Sequence, residues 1–218
     1  MINIAIDGPA GAGKSSVAKA VAAKLGFIYV DTGALYRSIG VNALKNSIET
    51  TDAEAVIALL PETKVELKYV NGTQKVILNG EDVSEAIRMP EASMAASNVS
   101  AIPAVREFLL DLQRDMAKNN NVIMDGGDIG TVILPDAEYK FFLTASAEVR
   151  ADRRFKELKE KGIDVDYNTL LDEIIQRDYN DSHRATAPLK QADDAILIDS
   201  SNLTLEESID AIVSRIKV

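Results

Sequence analysis

The stretch Gly8-Pro9-Ala10-Gly11-Ala12-Gly13-Lys14-Ser15 decides the fold, because it fits the pattern G-x-x-x-x-G-K-[ST]. A short apolar run, Ile2 to Ile6, precedes it, and a stretch with helical spacing, Ser15 to Leu25, follows it. Glycines let such a loop wrap tightly, so that its backbone N–H groups and the next helix N-terminus point at phosphate oxygens. The stretch predicts a nucleotide-phosphate site in which Lys14 contacts the β- and γ-phosphates and the Ser15 hydroxyl binds Mg²⁺.

Strand and helix signals alternate on both sides of this loop. The expected strands are short apolar runs: Ile2 to Ile6, Phe27 to Val30, Val122 to Met124, Tyr139 to Leu143 and Ala195 to Ile198. The expected helices have apolar residues at helical spacing: Ser15 to Leu25, Leu35 to Leu44, Asp52 to Leu60, Glu91 to Lys118 with a break near Pro103, Ala147 to Lys161, Tyr167 to Arg184 and Thr204 to Ile216. This order predicts an α/β fold with a parallel five-stranded sheet and helices on both faces.

Residues 63–84 interrupt the alternation. Val65 to Tyr69 alternates with period two, Lys75 to Leu78 is rich in β-formers, and Asn71-Gly72 and Asn79-Gly80 follow these runs. Asn-Gly is a strong hairpin signal, because both central residues of the tight turn need positive φ. The segment therefore predicts a small antiparallel insertion.

Composition and charge limit the partners of this chain of 218 residues. It has no Cys and one His, which disfavours disulfides, thiolate chemistry and His-rich metal sites. A net charge of −10 disfavours nucleic acid as a partner. No apolar stretch is long enough for a membrane span, and the N-terminus lacks signal-peptide features. We expect a cytoplasmic protein that acts as a monomer without membrane contact.

A phosphate loop of this kind occurs in GTPases, ATPases and small-molecule kinases. The guanine-reading sequence Asn-Lys-x-Asp is absent, which disfavours a GTPase, and the chain is short for a motor or transporter ATPase. A small-molecule kinase would need a second anion site near the loop.

Two polar segments directly follow predicted strands. The carboxyl ends of parallel strands meet at one edge of a sheet, next to the phosphate loop. In the first segment, Asp31 to Arg37, the Arg37 side chain can bind a second phosphate, or it is a solvated helix arginine. In the second, Asp125-Gly126-Gly127-Asp128, Asp125 is the candidate for Mg²⁺ or its waters, and Asp128 is either functional or an N-cap.

Arginines are concentrated on two late helices. Arg is suited to bidentate phosphate contacts, so this pattern indicates local binding of polyphosphate. The arginines are Arg150, Arg153 and Arg154 on one helix, and Arg177 and Arg184 on the next. The alternative is ion pairing with the nearby acidic residues Glu148, Glu157, Asp178 and Asp181.

Together these motifs resemble the bacterial cytidylate kinase family. The resemblance rests on the phosphate loop, Asp31-Thr32-Gly33-Ala34-Leu35-Tyr36-Arg37, the segment Asp125 to Val132, and Arg184-Ala185-Thr186-Ala187-Pro188-Leu189, and it extends from Ile4 to about Ser200. It implies a P-loop NTPase-type fold and transfer of the γ-phosphoryl group of ATP to CMP or dCMP in pyrimidine nucleotide metabolism. It also implies a core of residues 1–36 and 85–218 with a lid around 150–165, and a nucleoside-monophosphate-binding region at 37–84.

The resemblance also implies roles for individual residues. The catalytic residues would be Lys14, Arg37, Arg184 and Asp125. ATP, with Mg²⁺ on Ser15, would contact Gly8, Pro9, Ala10, Gly11, Ala12, Gly13, Lys14, Ser15, Ser16 and Arg153. Ser97, Arg106 and Asp128 would read the cytosine edge. Asp181, with Arg177 close by, would bind the sugar, Arg37 and Arg184 would hold the CMP phosphate, and Thr32 would line the same pocket.

One position departs from the family. The family has Asp-Gly-Arg-Asp where this chain has Asp125-Gly126-Gly127-Asp128, and the missing Arg is a further ligand of the CMP phosphate. Two alternatives therefore stay open at this point. One is a P-loop kinase for another small acceptor, such as UMP, AMP or shikimate, and the other is an ATP-binding module with impaired turnover.

Overall fold

The computed structural model describes residues 1–70 and 73–217. The strands are β1 (Asn3–Asp7), β2 (Ile28–Asp31), β3 (Val65–Val70), β4 (Thr73–Leu78), β5 (Glu81–Asp82), β6 (Val122–Gly126), β7 (Tyr139–Thr144) and β8 (Ile196–Asp199). The α-helices are α1 (Lys14–Leu25), α2 (Thr32–Lys45), α3 (Ala53–Leu59), α4 (Pro90–Ser100), α5 (Pro103–Lys118), α6 (Ala147–Glu160), α7 (Tyr167–His183) and α8 (Leu205–Val213). A π-helical turn, Ile129–Ile133, follows β6.

The main sheet contains every strand that the apolar runs predict. In the described part of the chain it has five strands in the order β2-β6-β1-β7-β8, and the pairs β1–β6, β1–β7 and β7–β8 are parallel. The predicted α/β fold class is therefore confirmed. Asp7 is level with Gly126 across the β1–β6 pair, so both strands end at the same edge of the sheet. The phosphate loop and the segment after β6 start from this edge.

The chain divides into two compact units, Met1–Tyr29 with Asn120–Val218, and Val30–Asn119. Each unit has its own apolar core. The first core includes Ile4, Ile6, Val21, Ile123, Phe141 and Ile212. The second core includes Leu35, Ile39, Val76, Val99 and Leu109. The second unit is longer than the region at 37–84 that the sequence analysis assigns to nucleoside monophosphate binding, and that functional assignment stays a prediction.

The antiparallel insertion is also confirmed. β3 pairs with β4 from Val65–Leu78 to Val70–Thr73, and β4 pairs with β5. Asn79 and Gly80 connect β4 to β5 with φ values of 50° and 87°, as the Asn-Gly signal requires. The other predicted turn, Asn71-Gly72, lies outside the described residues.

Helix ends follow the local sequence signals. Thr204 and Glu207 form a capping box at the start of α8, and the Asp52 side chain accepts a hydrogen bond from the Ala55 N–H at the start of α3. The predicted break near Pro103 separates α4 from α5. Among the residues that the structure describes, no helix combines the length and apolar character needed to cross a bilayer.

Candidate active site

The phosphate loop connects β1 to α1 through a close backbone approach. A Cβ atom on Gly8 would lie 1.9 Å from the Leu143 carbonyl oxygen of β7, so only glycine fits there. Gly13 precedes α1 with a φ of 91°, a left-handed conformation that glycine adopts without strain. These two glycines let the loop pass directly against β7 and enter α1 without backbone strain.

The Lys14 side chain folds back across this loop. Its Nζ donates a hydrogen bond to the Pro9 carbonyl over 2.8 Å. Burial lowers the pKa of Lys14, while the nearby charges of Asp125 and Asp7 act in the opposite direction. The ammonium is thus held inside the loop and surrounded by acidic groups, where it can meet the phosphates of a nucleotide.

Asp125 lies next to the loop at the end of β6 and is 3% exposed. The Ser15 hydroxyl donates to one of its carboxylate oxygens over 2.8 Å, and the Tyr29 hydroxyl donates to the other, also over 2.8 Å. The side-chain oxygens of Ser15 and Asp125 are therefore close together, as a shared Mg²⁺ or its waters would require. Sequence reasoning did not identify Tyr29, because only the folded chain brings it to Asp125.

Asp7 is a functional candidate that the sequence analysis did not single out. It ends β1 as Asp125 ends β6, and its carboxylate accepts hydrogen bonds from the Ile129 and Gly130 N–H groups, both over 2.7 Å. Burial raises the pKa of Asp7 from 3.8 to about 6, with a smaller contribution from Asp128, against the lowering effect of the two N–H groups. Asp7 therefore ties the phosphate-loop strand to the turn that follows Asp128.

This raised pKa makes the stability of the protein depend on pH. The folded state holds the Asp7 proton more tightly than the unfolded state does. The stability that this proton contributes to the folded state is therefore complete below about pH 4 and is lost as pH rises through about 6. Replacing Asp7 by Asn removes this loss. When the pH rises from 5 to 7, we expect the parent chain to lose about 1 kcal/mol more unfolding free energy than the Asp7→Asn variant loses.

Urea unfolding of both proteins at pH 5, 6 and 7 measures this difference. Asp166→Asn is the matched control. The Thr169 N–H lowers the pKa of Asp166, so its loss of charge falls below pH 4 and its difference from the parent should stay constant in the same range. A difference for Asp7→Asn that is equally constant would contradict the prediction.

Asp128 is buried directly before the turn Ile129–Ile133. Its side chain makes no capping hydrogen bond to that turn, so the structure does not support the N-cap alternative. The proposed contact of Asp128 with a base stays a prediction.

Four of the five late arginines form ion pairs of the kind that was the alternative to phosphate binding. The pairs are Arg150–Asp178, Arg154–Glu157, Arg177–Asp181 and Arg184–Asp181. Arg150 is 3% exposed and also donates to the Ala10 carbonyl of the phosphate loop over 3.0 Å. Arg150 therefore supports the loop from inside the protein, and it does not lie on an exposed lid surface.

Arg153 occupies a different position from Arg150. Its guanidinium donates to the Ser200 carbonyl over 2.7 Å. The Ser200 hydroxyl in turn donates to the Ala12 carbonyl over 3.3 Å. The predicted ATP ligand Arg153 is thus one residue removed from the phosphate loop.

Three of the predicted CMP ligands share the end of α7. Asp181 lies 3.6 Å from Arg177 Nε and 3.6 Å from an Arg184 guanidinium nitrogen, between the two arginines. Arg184 Nε also donates to the Ala187 carbonyl over 2.8 Å. This local network keeps two guanidinium groups beside one carboxylate.

Gly127 is adjacent to this network. A Cβ atom at Gly127 would lie 3.5 Å from a Leu189 methyl carbon and 3.9 Å from the Arg184 guanidinium, both ordinary contacts. Its φ lies outside the left-handed region. The backbone therefore does not require glycine here, and a larger side chain can start from this position next to Arg184.

The second unit holds the other predicted CMP ligands, Thr32, Arg37, Ser97 and Arg106. The Arg106 guanidinium donates to the Ser100 carbonyl over 3.0 Å and lies 5.2 Å from the centre of the Tyr36 ring. The Ser100 hydroxyl donates to the Ser97 carbonyl over 2.9 Å. The structure therefore links the two residues of this unit that are predicted to read cytosine. Thr32 is buried as the first residue of α2.

Known proteins match the chain over nearly its whole length. The sequence model described as cytidylate kinase matches residues 4–218. The cytidylate kinase of Caldicellulosiruptor saccharolyticus is 58% identical over 212 residues, which cover 97% of this chain and 94% of that protein. The cytidylate kinase of Clostridium botulinum is 53% identical over 216 residues, with coverage of 99% and 98%.

The fold is also similar to that of a solved structure. The crystal structure of an uncharacterized protein from Eubacterium ventriosum matches with a TM-score of 0.54 and 15% sequence identity, over 98% of this chain and 97% of that one. At this identity the likeness concerns the fold alone. The family itself follows from the sequence matches: this chain belongs to the cytidylate kinase family.

Proposed function

We propose that this protein transfers the γ-phosphoryl group of ATP to CMP and dCMP, producing CDP and dCDP. The observation that carries the proposal is the hydrogen bond between Ser15 and Asp125 next to Lys14, inside a complete phosphate loop. This arrangement provides the groups that bind a nucleoside triphosphate and its metal. The cytidylate kinase family of the chain supports CMP as the acceptor.

ATP binds through the phosphate loop in this proposal. The loop from Gly8 to Ser16 surrounds the phosphates with the backbone N–H groups of all its residues except Pro9, and the Lys14 ammonium stabilises the charge that moves during transfer. Arg153 completes the ATP site, and the lid at 150–165 excludes water, which would otherwise hydrolyse ATP. The contact of Ser200 with both Arg153 and Ala12 supports a position of Arg153 near the loop.

The metal in this proposal is Mg²⁺. The Ser15 hydroxyl and the Asp125 carboxylate are the hard oxygen donors that Mg²⁺ prefers. Ser15 would bind the ion directly, and Asp125 would bind the water molecules around it. In the described ranges, no group of three acidic or histidine side chains could hold a metal ion by itself, which suits a metal bound mainly by substrate phosphates. When bound, Mg²⁺ neutralises negative charge on the phosphates.

CMP binds through three sets of residues in this proposal. Asp128 accepts a hydrogen bond from the cytosine amino group, and Ser97 and Arg106 contact the remaining base edge. Asp181 and Arg177 bind the sugar, while Thr32 lines the pocket. Arg37 and Arg184 hold the CMP phosphate, because guanidinium groups match a phosphate dianion.

The chemistry then needs little more from the protein than positioning. The CMP phosphate is already an anionic nucleophile, so no general base is required, and its oxygen attacks the γ-phosphorus in line with the departing ADP. We assign nucleoside monophosphate binding to residues 37–84 and the phosphate-loop core to 1–36 and 85–218. The protein acts as a cytoplasmic monomer in this proposal.

An acceptor screen with coupled detection of ADP tests the proposed function. We expect kcat/KM for CMP and dCMP to exceed the values for AMP and GMP by about tenfold or more, because the wrong base leaves buried polar groups unpaired. UMP is the informative competitor, since uracil presents an acceptor and a donor where cytosine presents a donor and an acceptor. Equal kcat/KM values for CMP and AMP would refute the proposed base pocket. Turnover with shikimate in place of CMP would show that shikimate is the acceptor.

A further inference from the structure

Arg37 is held in place by an acidic residue near the start of its own helix. A terminal nitrogen of its guanidinium group lies 2.8 Å from Asp31 Oδ2. The two side chains are 29% and 20% exposed, so water screens this pair less than a surface ion pair. The protein itself therefore holds in a defined position the arginine that is predicted to bind the acceptor phosphate.

The Asp31 carboxylate is itself fixed by a second contact. Its other oxygen, Oδ1, accepts a hydrogen bond from the Ala34 N–H over 2.9 Å and thereby caps α2. One carboxylate oxygen thus binds the helix backbone while the other binds the guanidinium. Rotation of the Asp31 side chain would break both contacts at once.

The inserted antiparallel sheet fixes the backbone of Asp31. The Asp31 N–H donates to Gln74 Oε1 over 3.1 Å, and Gln74 Nε2 donates to the Asp31 carbonyl over 3.4 Å. Gln74 belongs to β4. The insertion therefore fixes the backbone of Asp31, whose side chain pairs with Arg37.

Gly33 provides the space for the guanidinium. A Cβ atom there would lie 3.0 Å from Arg37 Nη1 and 3.2 Å from Asp31 Oδ1, closer than side-chain atoms normally approach. The φ of Gly33 is outside the left-handed region, so the helix backbone does not need glycine. The neighbouring Arg37 and Asp31 side chains, and not the backbone conformation, are therefore what favour a residue without a side chain at position 33.

We infer that Asp31 is a positioning residue that orders Arg37 for the phosphate of the acceptor nucleotide; this inference rests on the proposed function. A guanidinium group has five N–H donors, and the hydrogen bond to Asp31 uses one of them, on a terminal nitrogen, so the group keeps further donors for a phosphate. An arginine ordered before binding loses less conformational freedom when the phosphate arrives. Asp31 therefore strengthens acceptor binding through Arg37 without touching the acceptor.

Two substitutions separate this role from helix capping. Asp31→Asn keeps a good N-cap but removes the charge that holds Arg37, whereas Asp31→Glu keeps the charge but is a poor N-cap. We expect Asp31→Asn to fold with nearly parental stability and to lose about tenfold in kcat/KM for CMP, with KM for ATP unchanged. Asp31→Glu should be less stable but retain more of kcat/KM for CMP.

The matched controls are Asp52→Asn and Asp52→Glu, because Asp52 caps α3 in the same way through the Ala55 N–H. They should reproduce the stability changes and leave the kinetics with CMP unchanged. Gly33→Ala is a further test: the added methyl group would crowd both Arg37 Nη1 and the capping oxygen Asp31 Oδ1, so kcat/KM for CMP should fall, while the helix preference of alanine offsets part of the lost capping.

The outcomes distinguish this inference from the proposed function. If the parent protein forms CDP and Asp31→Asn keeps kcat/KM for CMP within about twofold of the parent, Asp31 does not position Arg37. The same conclusion follows if Asp31→Asn is more active than Asp31→Glu, because helix capping alone gives that order. If the parent forms no CDP from CMP, the proposed function fails, and the inference fails with it.

Discussion

Lys14→Ala is expected to reduce turnover by about 10²–10³-fold while the protein stays folded. The Lys14 ammonium lies inside the phosphate loop, where its Nζ donates to the Pro9 carbonyl, and no other residue of the loop carries a positive charge. The substitution leaves the backbone N–H groups that surround the phosphates. It removes the cation that is proposed to stabilise charge on the transferring phosphoryl group, so kcat should fall far more than ATP affinity.

Lys24→Ala is the matched control for this experiment. Lys24 lies on the same helix as Lys14 but at its last turn, where it pairs with Glu206 and Asp210 on the surface. Its removal should leave the steady-state parameters for ATP and CMP unchanged. Turnover of Lys14→Ala within a few-fold of the parent would contradict the assignment of Lys14 to the reacting phosphates.

Gly127→Arg should strengthen CMP binding by about ten- to a hundredfold, because a hydrogen bond to a charged group contributes roughly 1.5–3 kcal/mol. Position 127 is next to Arg184, and a Cβ atom there makes only ordinary contacts with Leu189 and Arg184. The new guanidinium can therefore extend, without backbone strain, toward the phosphate that Arg184 is proposed to hold. If the contact strengthens in the transition state, kcat rises as well.

Gly127→Met is the control, since methionine adds a side chain of some length without charge. It should leave KM for CMP close to the parental value, and neither variant should change ATP affinity measured without CMP. Steady-state kinetics at varied CMP concentration separate these cases. A folded Gly127→Arg protein with unchanged kcat and KM for CMP would show that the existing arginines already neutralise the phosphate.

The fold could be predicted from local sequence signals because those signals act over short distances. The apolar runs that become β1, β2, β6, β7 and β8 are each bounded by turn residues or helix starts. The Asn79-Gly80 turn and the Thr204–Glu207 capping box depend on residues within a few positions of each other. Such features require no knowledge of the tertiary structure.

The contacts that organise the site could not be predicted in the same way. The Tyr29 hydroxyl meets Asp125, which is 96 positions away in the sequence, and Asp7 meets Ile129 and Gly130 across 122 and 123 positions. Arg150 resembles an exposed helix arginine in sequence, yet it is buried under the phosphate loop against Ala10. For Asp7 alone a signal was present, since it ends its strand as Asp125 does.

The direct test of phosphoryl transfer is to follow the label of [γ-³²P]ATP in the presence of Mg²⁺ and CMP. The proposed function predicts that the label appears in CDP as ATP is consumed, and that omission of CMP leaves most of the label in ATP. Label that stays in ATP, or that appears only as inorganic phosphate with CMP present, would contradict transfer to CMP.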